Sequence, residues 1–136
     1  MAYWLLKTEP NTYSFQDLEQ DKTTEWDGVR NYQARNHLNS MKTGDSCMIY
    51  HSGKERAVVG FAKVIKAAYP DPKADDPRWV NVDIQVQAAV KTPVTLAEMK
   101  AEKALAEMTL IRQSRLSVCP MTRAEWQLVS KLAKRA

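Results

Sequence analysis

The chain has 136 residues, 44% of them hydrophobic and 26% charged. That balance is globular rather than disordered, and the length suits one domain, 1–136, with a core that needs neither disulfides nor metal. Twenty basic residues face sixteen acidic ones, and the net charge of +4 points to an anionic partner. Three of those cations, Lys131, Lys134 and Arg135, sit in the last six residues, and without them 17 basic residues face 16 acidic ones. The location of charge therefore matters more than its total. Arg30, Arg35, Lys42 and His37 lie between Asp27 and Asp45 with no acid among them; Arg112, Arg115 and Arg123 lie likewise between Glu107 and Glu125. Brought together by the fold, the two stretches would form an anion-attracting face; kept apart, they are two solvated surfaces.

In chain order, Tyr3–Lys7 reads as a short strand. Its apolar run is far too short for a signal-peptide core or a membrane span, and no other window reaches membrane length. Ser14-Phe15-Gln16-Asp17 matches an N-cap with an acid three residues on, which predicts a short helix. Val29–Met41 places Ala34, Leu38 and Met41 at helical spacing, and Gly44-Asp45 marks a turn. Ser46–His51 and Ala57–Tyr69 read as strands, the second with Gly60 as a bulge or a point of close packing. Pro70-Asp71-Pro72 reads as a loop, and Asp71, Asp75 and Asp76 as solvent-facing. In Trp79–Gln87, Val80, Val82, Ile84 and Val86 alternate with polar residues, the period of an antiparallel strand with one wet face. The Pro93-Val94 approach reads as a loop. Thr95-Leu96-Ala97-Glu98 and Thr122-Arg123-Ala124-Glu125 are capping boxes, and the second opens a helix with the stripe Trp126, Val129, Leu132, Ala133.

Strands thus cluster in the middle with helices on either side, an α+β order rather than an alternating βαβ one. A curved or barrel-closed antiparallel sheet is expected, because closure removes exposed edges. Cys47 and Cys119 both have apolar neighbours and read as buried free thiols, which suits a cytoplasmic, reducing setting.

Catalytic chemistry is poorly supplied. Four scattered glycines make no phosphate-cradling motif, and the two histidines, His37 and His51, have no carboxylate cluster at a metal-ligand spacing. No cofactor or metal is expected. Glu9 and Asp27 form a conceivable carboxylate pair, though such pairs are usually structural.

The segment Trp26-Asp27-Gly28-Val29-Arg30-Asn31-Tyr32-Gln33-Ala34-Arg35-Asn36 packs two aromatics, two arginines and three amides into eleven residues. Aromatic faces stack on bases, amides match base edges, and arginine forks grip phosphate. The same composition also suits a helix with its aromatics in the core and its arginines in water. Lys7-Thr8-Glu9-Pro10 and Tyr50-His51-Ser52-Gly53 end strands with polar groups, where sites are commonly grafted. Arg112-Gln113-Ser114-Arg115-Leu116-Ser117 mixes cations and hydroxyls, which suits phosphate contacts.

Together these strings resemble the EVE domain family. The resemblance runs in order through Trp4–Pro10, Tyr13–Leu18, Trp26–Asn36, Met41–Asp45, Tyr50–Ser52, Val59-Gly60, Tyr69–Asp71, Trp79–Asp83, Pro93-Val94, Ser114–Val118 and Glu125-Trp126. The family's usual Pro-Asp-Pro-Thr reads Pro70-Asp71-Pro72-Lys73 here, a loop difference expected to lie clear of the pocket. The resemblance implies a PUA-like fold: a small, mostly antiparallel β-barrel flanked by several short helices. YTH, ASCH and SRA-type modules are its relatives. It also implies a non-enzymatic module that binds a modified nucleobase, modified cytosine foremost, in DNA or RNA. On that reading Trp26 and Tyr32 stack on the base, and Asn31, Glu9 and Ser52 read its edge. Lys7, Arg30, Arg35, His51 and Arg115, with Ser117 beside them, hold phosphate or close the mouth. An enzyme or enzyme subunit acting on RNA, and a binder of free nucleosides or small anions, remain open alternatives.

Overall fold

A computed structural model describes residues 1–135. Strand β1 (Tyr3–Thr8) is followed by α1 (Phe15–Asp21), β2 (Thr23–Trp26), α2 (Tyr32–Ser40) and β3 (Ser46–His51). Then come the long β4 (Ala57–Pro70) and β5 (Val80–Thr95), α3 (Leu96–Ala101) and a 3-10 turn at Lys103–Leu105. The chain closes with α4 (Thr109–Arg112), β6 (Val118–Met121) and α5 (Arg123–Ala133).

Three helices begin as their sequence signatures require. In α1 the Ser14 hydroxyl accepts from the Asp17 N–H at 3.0 Å, and the Asp17 carboxylate accepts from the Ser14 N–H at 2.9 Å. Thr95 with Glu98 and Thr122 with Glu125 repeat that reciprocal pattern at α3 and α5. Helix α2 begins differently. Asn31 is its N-cap, and the Asn31 side-chain oxygen accepts from the Ala34 N–H at 2.9 Å. Val29 is buried but lies before the helix, so the helical spacing began too early.

One six-stranded sheet runs in the order β2-β5-β4-β3-β1-β6. Every neighbouring pair is antiparallel except β1 with β3. That exception follows from connectivity: the chain between them crosses over through α1, β2 and α2, which parallel pairing needs. The architecture is α+β and mostly antiparallel, as expected. Barrel closure is not made, because β2 and β6 end the sheet without pairing to each other. Both edges are only four residues long and β6 carries Pro120, so shortness and proline blunt the edges in place of closure.

Gly60 is the point of close packing. A Cβ there would lie 2.1 Å from the Phe15 ring, so the fully buried Phe15 occupies the space a side chain would need. The pairing register also shifts between Val58 and Gly60. Across that shift Val58 pairs with Val94 and Gly60 with Ala89, so residues 90–93 bulge within β5. Pro93 therefore sits in an irregular strand, where a loop was expected. On β5, Val80, Val82 and Ile84 are buried as the alternation requires, but Asn81 on the opposite face is fully buried too.

At the start of β1, Asp45 ties the chain down. It accepts from Ala2 N–H at 3.1 Å, Trp4 Nε1 at 3.0 Å and Lys42 N–H at 2.9 Å. Burial pushes its carboxyl up, but the bonds from Lys42, Trp4 and Ala2 outweigh that and hold it below the usual value. Cys47 and Cys119 are buried and unbridged. Among the described residues no helix is long and apolar enough to cross a membrane.

Candidate nucleic-acid interface

At the C-terminal end of β1 a tight turn begins. The Glu9 carbonyl accepts from the N–H groups of Thr12 and Tyr13 at 2.9 Å each, and the Thr8 hydroxyl donates to the Tyr13 carbonyl at 2.6 Å. This turn sets Tyr13 edge-on to Trp26 at the end of β2, with ring centroids 6.4 Å apart and planes 84° apart. Both residues line a cavity of about 590 Å³, within the range of small-ligand sites. Trp26 forms part of its wall with 8% of its surface exposed.

The polar lining is mixed in sign. Glu9, Glu25 and Asp27 supply carboxylates; Lys7, Arg30 and Lys73 supply cations. Carboxylates only accept and cations only donate, so the cavity can match a base edge that carries both an amino group and ring acceptors. Lys7 Nζ donates to the Ser114 carbonyl at 2.8 Å, and partial burial lowers its ammonium from the usual value. The Glu9 carboxylate lies against Gly53, where an added Cβ would stand 2.6 Å from Oε2.

Arg30 is held from below by Asp71. The fully buried Asp71 carboxylate accepts from both Nη1 and Nη2 at 3.2 Å, while Nη1 also donates to the Val29 carbonyl at 3.0 Å. Asp71 accepts in turn from the Lys73 N–H at 2.9 Å and, weakly, from the Gly28 N–H at 3.4 Å. Burial raises the Asp71 carboxyl, but the bonds from Lys73, Gly28 and Arg30 outweigh it and leave the group below the usual range. Gly28 has φ +74°, and its turn carries the chain from β2 toward Arg30.

The predicted site residues separate into three groups. Lys7, Glu9, Trp26, Arg30 and Ser117 line this one cavity. Tyr32 and Arg35 stand outside it: Tyr32 stacks on Trp79 at 5.1 Å, and Arg35 lies over both rings. Trp26 and Tyr32 therefore do not share a concave wall. Asn31, His51, Ser52 and Arg115 do not line the cavity. Asn31 spends its carbonyl on the α2 cap. His51 is buried, its Nε2 accepting from the Phe15 N–H at 2.9 Å and its Nδ1 lying 2.7 Å from Glu55 Oε1. Two fixed partners make it a structural core residue rather than a phosphate contact. The Ser52 hydroxyl donates to the Thr8 carbonyl at 3.3 Å and is not part of the lining. Arg115 is exposed beside the Lys7–Ser114 contact and outside the lining.

Sequence reasoning missed Tyr13, whose place depends on the Thr8–Tyr13 turn. It also read Asp71 as solvated and the Lys73 loop as clear of the pocket. Asp71 is buried under Arg30, while Lys73 lines the cavity and its Nζ lies 2.6 Å from Asp27 Oδ2. Proline flanks and charge pointed outward, and only the folded loop turns Asp71 in.

The two acid-free basic stretches do not merge into one face. Arg112 pairs with Glu107 at 2.9 Å, and Arg123 borders a second cleft with Met1–Trp4 at the opposite end of β1. Lys42 also lies at that end, where its N–H meets Asp45.

The EVE domain family model matches residues 2–132. Human thymocyte nuclear protein 1 is 38% identical, with 98% of this chain and 75% of that protein covered. The NMR structure of Rpa0253 from Rhodopseudomonas palustris is 44% identical at a TM-score of 0.93, covering 98% and 93% of the two chains. Human THYN1 in complex with 5-methylcytosine containing DNA is 37% identical at 0.91, covering 100% and 99%. An ASCH protein from Zymomonas mobilis, 10% identical at a TM-score of 0.61 over 96% and 95%, shares the fold alone. The model match, the identities and the full-length structural agreement coincide, and the chain belongs to the EVE domain family.

Proposed function

We propose that this protein binds a modified cytosine in nucleic acid by taking the base into the Trp26–Tyr13 cavity. The observation that carries this reading is a cavity walled by Trp26 with carboxylate and ammonium groups side by side. The complex of human THYN1 with 5-methylcytosine containing DNA supports it from outside. The Trp26 face stacks on the ring, a contact worth about 1–3 kcal/mol by truncation. Glu9 accepts from the exocyclic amino group, which thymine and uracil lack, and Lys7 donates to the ring acceptors. Arg30, held by Asp71, grips the phosphate.

The role is binding without catalysis. His51 is committed at both ring nitrogens, so it has no nitrogen left to activate a nucleophile. Burial pushes both thiols up, Cys119 to about 11 and Cys47 further. Buried reduced thiols suit a reducing compartment such as the cytoplasm.

Matched oligonucleotides that differ only in the cytosine modification, titrated at fixed salt, test the reading. Tighter binding of the modified strand, lost in Trp26→Ala, supports it. Equal and salt-sensitive binding of all strands reduces it to charge attraction. Product formed from any oligonucleotide by the purified chain would overturn the non-catalytic part.

A further inference from the structure

Outside the cavity lies an aromatic and cationic platform that the base-binding role leaves unused. Tyr32, on the first turn of α2, is 58% exposed, unusual for so large a ring. Its partner Trp79 stands just before β5 and is half-buried, with ring centroids 5.1 Å apart and planes 30° apart. The Arg35 guanidinium lies 5.1 Å from the Tyr32 centroid and 5.9 Å from that of Trp79. Arg35 has no carboxylate partner among the described residues; its Nη2 donates only to the Asn36 side-chain oxygen at 3.0 Å.

Arg30 joins this platform to the cavity. It lines the cavity, and its guanidinium stands 5.8 Å from the Trp79 centroid. Asp71 and Val29 occupy both Nη1 hydrogens and one on Nη2. The Nε hydrogen and the second Nη2 hydrogen remain, side by side, as the fork that fits two phosphate oxygens. The Arg30 side chain is 42% exposed and lines the cavity, which leaves that fork open to a ligand.

We propose that the Tyr32–Trp79 pair is a second stacking site, which takes the base adjacent to the one in the cavity while Arg30 holds the phosphate between them. The occupant is a flanking, unpaired nucleotide of the same strand. Its chemistry follows from the surface: the exposed Tyr32 ring, backed by Trp79, for a base, and two guanidinium groups for its backbone. The protein would then engage two consecutive nucleotides. This inference rests on the cavity holding the first base.

The test uses the intact protein and single-stranded oligonucleotides with one 5-methylcytosine or one cytosine. In further strands the 5′ or the 3′ neighbour is replaced by an abasic residue. Removal of one neighbour is expected to weaken wild-type binding by roughly 5- to 150-fold, the range of one stacked base. Tyr32→Ala should weaken the intact strand by a similar factor and the matching abasic strand hardly further, while Tyr32→Phe keeps most of the affinity. Losses from Y32A and the abasic residue that multiply independently, or no loss from Y32A, overturn the second site. The ratio between methylated and unmethylated strands reports on the cavity separately. Equal binding of both, with Y32A still coupled to the neighbour, sinks the modified-base reading and leaves the platform. Failure of every strand to bind overturns both.

Discussion

Asp71 and Arg30 form a half-exposed pair in which the carboxylate is buried and the guanidinium reaches solvent. The folded-state carboxyl lies below its ordinary 3.8, so the stabilisation is complete above the usual carboxylate range. It is lost as pH falls through the depressed folded value. Asp71→Asn is expected to cost about 2 kcal/mol at pH 7, with a smaller difference from wild type near pH 3. Urea titrations at the two pH values measure this. At Gly60 the obstacle is the Phe15 ring. Gly60→Val should destabilise by roughly 1–3 kcal/mol or more through overpacking, read as a lower urea midpoint at unchanged slope. The cysteines give a simpler test. With Cys119 pushed up to about 11 and Cys47 also raised, neither thiol should react with a thiol reagent at neutral pH until denaturant is added.

At the scale of elements, α1 shows how local and distant signals combine. Its capping box is readable because Ser14 and Asp17 are three residues apart, and both bonds close within one turn. The next free donor, the Phe15 N–H, is satisfied by His51 from β3, 36 residues away. That contact is invisible in any local pattern, and His51 at a strand end looked instead like a surface ligand. His51→Leu should cost about 1–3 kcal/mol by leaving the Phe15 N–H buried without an acceptor, whereas His51→Gln can restore one. Thermal unfolding of the two variants distinguishes them. The long β5 was legible from Val80 to Val86, where alternation is strict. Its later part was not, because the bulge at residues 90–93 breaks the period. The edge strands β2 and β6 are too short to show a pattern. Helix α2 was legible in its spacing but not in its start, since Asn31 reads as well for a base contact as for a cap.

Across the whole molecule the distribution of charge decides more than its sum. Lys7, Arg30 and Lys73 line the cavity, and Arg35 stands on the platform beyond it. On the proposed single-strand reading, phosphate contacts by Arg30 and Arg35 make log Kobs fall with log salt at a slope of about −1.4, at roughly 0.7 per contact. Arg35→Ala should reduce that slope by about 0.7 and weaken modified and unmodified strands alike. Anisotropy titrations across a salt series check both. The sequence by itself determined what short spacings and whole-chain similarity carry: the capping boxes, the strand alternation, the α+β order, the buried thiols and the membership of the EVE family. It also marked Lys7, Glu9, Trp26, Arg30 and Ser117, which the structure brings to one cavity. Tertiary structure alone decided that Tyr32 leaves that cavity for Trp79, that Asp71 turns inward beneath Arg30, and that the sheet stays open. The physical reason is common to all three. Each depends on contacts between residues far apart in the chain, where burial and hydrogen-bond satisfaction are settled by neighbours no local period can name.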